Sequence, residues 1–189
     1  MLDKPKSQNK KIPKKITENS LRNIALYYLQ RYASSKENLK SVLKRRVMRS
    51  ARFHETEIEE ASVWIEDLVE QLAKSGVVDD QTYAEAKMWA LFRHGISPKI
   101  ISQRLIQKGI NSDLIQQIIT KLYTETHDPN LSAAKKLVKR RRLGPYRQPN
   151  KRKEQQDKDL ATVARAGFDF QTARKVIYAE TIEELEEEF

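Results

Sequence analysis

The chain has no cysteine, which excludes disulfides and thiolate metal sites and permits a reducing compartment. It has only five glycines in 189 residues, and none forms a glycine-rich phosphate loop; Lys108-Gly109 by itself is no Walker motif. No apolar run approaches the roughly eighteen residues of a membrane-spanning helix. The N-terminus carries lysines without a following apolar core, so it does not read as a secretory signal, and a cytoplasmic location with no membrane attachment is expected. Alternation of strand type is nowhere sustained. His54, His94 and His127 lie in separate segments without a His or Cys partner at ligand spacing, and read as surface or packing residues. Asp79-Asp80 resembles a catalytic carboxylate pair only superficially, because capping a helix accounts for both acids. No enzyme, no metal and no cofactor are therefore expected.

What the chain does contain is helix-forming sequence rich in Leu, Ile, Ala, Lys, Glu and Gln. The organising stretch runs from Val78 to Leu122 and predicts three short helices. Asp79 or Asp80 caps the first, with Ala84, Met88 and Leu91 on its inner arc. Ser97 caps the second, Pro98 takes the first turn, and Ile100, Ile101 and Leu105 face inward until Lys108-Gly109 closes it. Asn111 or Ser112 caps the third, whose stripe is Ile115, Ile118, Ile119 and Leu122.

A unit of about forty-five residues is small for an independent core, and both flanks resemble it. Upstream, Arg31, Ser35, Leu39 and Leu43 align with Arg93, Ser97, Ile101 and Leu105. Downstream, Gly167, Phe168, Val176 and Ile177 align with Gly109, Ile110, Ile118 and Ile119. This repetition predicts an all-α protein of three tandem three-helix repeats, stacked into an elongated, curved array.

The expected segments are a disordered basic arm over residues 1–18, repeats over 19–76, 77–127 and 128–180, and an acidic tail over 181–189. In the first repeat, Ala25, Leu29 and Tyr32 are available for packing, and Leu39, Val42, Leu43 and Val47 share an arc. Thr56 and Glu59 have capping-box spacing ahead of the stripe Ile58, Ala61, Ile65, Leu68 and Leu72. In the third repeat Asn130 is the expected cap, Leu143 to Tyr146 breaks the helix, and Gln148 to Lys151 reads as an exposed loop. Helix resumes near Glu154 with Leu160, Val163 and Ala164 inward, and Asp169 caps a last helix holding Ala173, Val176 and Ile177.

The formal charge is +10, which suggests polyanions or an acidic protein surface as partners, or charge that only keeps the chain soluble. The strongest cluster comprises Lys135, Lys136, Lys139, Arg140, Arg141, Arg142, Arg147, Lys151, Arg152 and Lys153, with no acid between them and Tyr146 inside it. Arginine presents a planar fork to phosphate or carboxylate oxygens. A solvated helix face is the alternative, although unbroken like charge repels itself and favours a counter-surface. A second group comprises Arg31, Lys36, Lys40, Lys44, Arg45, Arg46, Arg49 and Arg52. The basic arm either adds a sequence-independent attraction to phosphates or acts as a solubilising tail.

These residues carry a family resemblance. From about Leu21 to Ile177 the chain resembles RecX, the bacterial regulators of the RecA recombinase. Asp79-Asp80-Gln-Thr-Tyr83-Ala84 resembles that family's D-D-x-x-[FY]-A, and Leu105-Ile-Gln-Lys108-Gly109-Ile110 its L-x-x-K-G-I. The Arg165-Ala-Gly167-Phe168 turn is similar too. The early S-x-x-E-L motif is altered to Ser35-Lys-Glu-Asn38-Leu39, which removes a carboxylate. The resemblance implies a monomeric regulator of recombination, DNA repair and the SOS response. It implies binding in the groove of the RecA–DNA filament, inhibition of ATPase and strand exchange, and no catalytic residues. Two rivals from other classes are a nonspecific DNA-binding helical protein acting without RecA, and a helical scaffold for another protein.

Overall fold

The structure, a computed structural model, describes residues 12–187, and every regular element among them is helical. The helices are α1 Glu18–Leu29, α2 Lys36–Ala51, α3 Ile58–Lys74, α4 Asp80–Arg93, α5 Pro98–Ile106, α6 Ser112–Glu125, α7 Pro129–Arg141, α8 Pro149–Arg165, α9 Phe170–Tyr178 and α10 Ile182–Glu187. A single 3₁₀ turn, Gly144–Tyr146, joins α7 to α8.

The chain divides into two compact units, with the division between Asp79 and Asp80. The first holds α1 to α3 around Leu21, Ala25, Leu39, Leu43, Val47, Ala61, Ile65 and Val69. Of the apolar positions expected here, Val42 is half-buried, Ile58 is largely exposed and Tyr32 faces water. Residues 12–17, expected within a disordered arm, are instead held along α2. His54 donates from Nε2 to the Pro13 carbonyl (2.6 Å), and Ser50 donates to the Lys14 carbonyl (3.0 Å). Ile16 is buried beside them. Thr17 then opens α1 by a reciprocal capping box with Ser20. The rest of that arm, residues 1–11, lies outside the described residues.

The second unit holds α4 to α10 around one continuous core. Met88, Ile101, Leu105, Ile118 and Leu122 from the middle repeat meet Leu137, Val138, Val163, Val176 and Ile177 from the third. Truncating any such leucine or isoleucine to alanine would cost about 2–5 kcal/mol. Two close approaches fix this core. A Cβ on Gly95 would lie 2.6 Å from the Leu137 backbone nitrogen, so only glycine lets α7 come this near. Buried Ser97 accepts from the Ile100 amide at the start of α5 and donates to the Ala166 carbonyl (3.0 Å) at the end of α8. The cap of one repeat thus satisfies the terminus of the next.

Several local expectations change. Asp128, not Asn130, caps α7, because Pro129 takes the first helical position. The same device starts α8 at Pro149, so Gln148 to Lys151 is a helix start rather than a loop. The Thr56 capping box is not formed. Glu57 occupies the cap position, and the buried Thr56 hydroxyl has no hydrogen-bond partner among the described residues. Ala164 is exposed, and Asp159 occupies the inward arc with Val163. The described part of the acidic tail forms α10, anchored by fully buried Leu185.

Candidate nucleic-acid interface

The ten cations from Lys135 to Lys153 sort by partner. Arg147 makes a two-pronged contact with buried Asp159: Nε to Oδ2 at 2.9 Å and Nη2 to Oδ1 at 2.6 Å. The Gly144 amide donates to the same Oδ2 (3.1 Å). This hydrogen bonding holds the guanidinium even more firmly protonated than usual. Arg147 thus fastens the turn after α7 to α8. Arg152 donates to the Ala179 and Glu180 carbonyls (2.6 and 2.8 Å), closing the C-terminal end of α9.

Lys136 lies with Nζ 3.9 Å from the Phe92 ring centroid, and burial, with Arg93 nearby, lowers its pKa. Lys139 pairs with Glu186 on α10 (2.9 Å). The same Glu186 oxygen accepts from the Tyr146 hydroxyl (3.0 Å). Burial first, then Glu186, pushes the Tyr146 phenol up to about 12. Lys135 lines a cavity of about 430 Å³ with His127, Asp128, Lys175 and Glu187.

Arg140, Arg141, Arg142, Lys151 and Lys153 all stand exposed. Arg142 adopts φ 53° and ψ 53°, the left-handed region, while the Leu143 amide reaches back to the Val138 carbonyl (2.9 Å). Gly76, Gly95 and Gly109 hold the equivalent left-handed positions after α3, α4 and α5. Arg142 is the one non-glycine residue with positive φ among the described residues.

In the first unit, Lys40 is ion-paired with Glu66, and Lys44 sits 3.6 Å from the same carboxylate. The hydrogen bond raises the Lys40 pKa and lowers that of Glu66. Glu66 stays about half exposed and Lys40 partly so, which limits the pair to about 1 kcal/mol. Arg45, Arg46 and Arg49 extend from α2 into water.

Sequence reasoning missed the two acids that organise the first cluster. Asp159 lies four residues before Val163, a core slot that a charge enters only with a partner. Glu186 sits in a run of glutamates, yet Ile182 and Leu185, three apart, mark a helical face there. No group of three or more His, Cys, Asp or Glu side chains fit to hold a metal occurs among the described residues. No helix among them is long and apolar enough to cross a membrane.

A family model described as the second three-helix domain of RecX matches residues 79–119, which hold α4, α5 and most of α6. The chain is 41% identical over 177 residues to the regulatory protein RecX of Myxococcus xanthus, covering 93% of each sequence. The chain belongs to the RecX family. The RecX of Agrobacterium fabrum is 32% identical over 168 residues, covering 88% of this chain and 85% of that one. Two crystal structures of RecX proteins share the fold. One has a TM-score of 0.58 at 24% identity, over 84% of this chain and 70% of its own. The other, from Lactobacillus salivarius, has a TM-score of 0.55 at 20% identity, over 86% and 96%. Membership in a family of regulatory proteins agrees with helices whose charged groups serve caps, ion pairs and surface.

Proposed function

We propose that this RecX chain is a negative regulator of RecA. In this reading it binds in the groove of the RecA–DNA filament and restrains ATP hydrolysis and strand exchange, as a cytoplasmic monomer serving recombination and the SOS response. The observation that carries the reading is the 41% identity to a RecX regulatory protein across 93% of both chains. Exposed Arg140, Arg141, Lys151 and Lys153 support it, since a groove holding DNA and acidic protein surface favours such groups.

The mechanism needs no catalytic side chain. A filament repeats its protomers, and a repeat protein can touch more than one of them. Linked weak contacts raise avidity by roughly 10²–10⁴. Binding that favours one filament geometry slows hydrolysis by shifting populations. The test is ATP hydrolysis by purified RecA on single-stranded DNA. We expect inhibition well below one chain per RecA protomer. Full hydrolysis at an equimolar ratio in low salt would overturn the reading. Tight binding to bare DNA together with full hydrolysis would favour a nonspecific DNA-binding protein that acts without RecA.

A further inference from the structure

The first unit carries a surface that neither the family match nor the third-repeat cluster explains. At the C-terminal end of α1, Tyr27 and, three residues past the helix, Tyr32 are 57% and 58% exposed. Tyr28 lies between them, its ring centroid 5.2 Å from that of Tyr32. The Arg31 guanidinium sits 4.4 Å over the Tyr27 ring. Together with Arg46, and floored by Ile24 and Val42, these residues line a cavity of about 600 Å³. A second cavity of about 460 Å³ adjoins it, sharing Asn23, Ile24 and Arg46, and adds Arg49 with Lys14 and Lys15. Among the described residues, no acid lines either one.

Clustered exposed tyrosine rings rimmed by polar groups mark an interaction surface with flat faces for stacking. Cations spaced along the same groove require a partner that is flat, apolar on its faces and regularly anionic. We propose that this groove between α1 and α2 binds a segment of single-stranded nucleic acid, with bases stacking on Tyr27 and Tyr32 and phosphates meeting Arg46 and Arg49. A duplex keeps its bases stacked internally and offers this surface only its backbone. An acidic peptide satisfies the arginines but leaves the rings uncovered.

The platform is locally braced. Asn38 donates from Nδ2 to the Tyr28 hydroxyl (3.2 Å) and to Ser34 Oγ (2.7 Å). This is the position where the family's S-x-x-E-L pattern carries glutamate. A neutral amide fixes the ring without setting a carboxylate beside an anion site.

The experiment uses the full chain without RecA, so its outcome is separate from that of the ATPase test. Binding to a fluorescein-labelled oligothymidylate of about twenty nucleotides, to a duplex of equal length and to polyglutamate is followed by anisotropy across a salt series. The pair Tyr27→Ala/Tyr32→Ala should weaken single-strand binding by roughly 30-fold or more, the loss expected for two stacked bases. Tyr27→Phe/Tyr32→Phe should restore it, because stacking needs the ring and not the hydroxyl. Duplex binding should be unchanged by either pair. Arg46→Ala/Arg49→Ala should flatten the salt dependence by about 0.7 in log–log slope for each lost contact. All four side chains are exposed, and melting by circular dichroism confirms that each variant is folded. Unchanged single-strand affinity in the alanine pair overturns the proposal. So does an equal loss toward duplex or polyglutamate, which would assign the groove to phosphate backbone or acidic protein instead.

Discussion

Two basic regions that look alike in sequence behave differently once folded. The stretch from Lys135 to Lys153 has ten cations and no acid within it, yet much of its charge is engaged. Arg147 reaches Asp159, 12 residues on, and Lys139 reaches Glu186, 47 residues on. Arg152 is spent on backbone carbonyls. On α2, Arg46 and Arg49 line open cavities with no acid among the described residues lining them, while Lys40 and Lys44 meet Glu66. Charge density along a chain therefore measures the need for partners, not the charge left for a ligand. The denser cluster acts as a structural clasp with a few free ends, and the sparser one leaves more cationic surface beside aromatic rings.

The largest effect should separate these two uses of arginine. Arg147→Ala leaves Asp159, 3% exposed, with only the Gly144 amide as a donor. Removing one partner of a buried pair costs about 3–5 kcal/mol, and Arg147 is partly solvated, so we expect a loss of about 2–4 kcal/mol in urea unfolding. Glu66→Gln, which weakens the partly exposed pair between α2 and α3, should cost about 1 kcal/mol or less. In a cycle with Asp159→Leu and Arg147→Leu, the double variant should lose clearly less than the sum of the singles. Equal costs for Arg147→Ala and Glu66→Gln would erase the distinction drawn between the two regions.

That distinction marks where sequence reading stops. Caps such as Ser97, Asn111 and Asp169 were legible because each acts on an amide two or three residues away. The stripes Leu39, Leu43, Val47 and Ile115, Ile118, Leu122 were legible because period alone places them on one face. Pro129 and Pro149 misled, since a proline reads equally as a break and as a first helical residue. The basic side chains were visible as candidates, but not their engagement. Asp159 and Glu186 come to them only through packing of α8 and α10, and no local pattern encodes such a pairing. Tyr32 was read as a packing residue because an apolar ring carries no mark of which side of the chain finds a neighbour, and it stands exposed just past α1.

A gain in stability should come from the cluster as well. Gly76, Gly95 and Gly109 end their helices in the left-handed conformation without steric cost, whereas Arg142 bears a Cβ there. The conformation costs about 1–2 kcal/mol for a side-chain-bearing residue, partly offset because glycine makes the unfolded chain more flexible. Arg142→Gly should therefore raise stability by about 0.5–1 kcal/mol, seen as a higher urea midpoint at unchanged slope. If filament binding falls while stability rises, Arg142 is kept for its charge. A destabilised variant would show that the arginine side chain contributes more locally than its backbone costs.

The smallest expected change in stability tests the free ends directly. Replacing Arg140, Arg141, Arg142 and Arg147 together would confuse two effects, because Arg147 holds the turn before α8. Arg140→Ala/Arg141→Ala removes only exposed charge from the last turn of α7. Cations there complement the helix dipole, a contribution of about 0.3–1 kcal/mol at low salt that fades as salt rises. Thermal unfolding at moderate salt should thus move by about 0.5 kcal/mol or less. Binding should respond more. If both arginines meet phosphate in the filament groove, affinity drops and the log–log salt slope falls by about 0.7 per contact on single strands. If they meet RecA carboxylates, affinity for the filament drops while binding to bare DNA stays the same. Should neither binding curve move, the free ends of this cluster are solvent-facing charge only. The contact of this chain with a polyanion would then rest on Arg46 and Arg49 in the first unit.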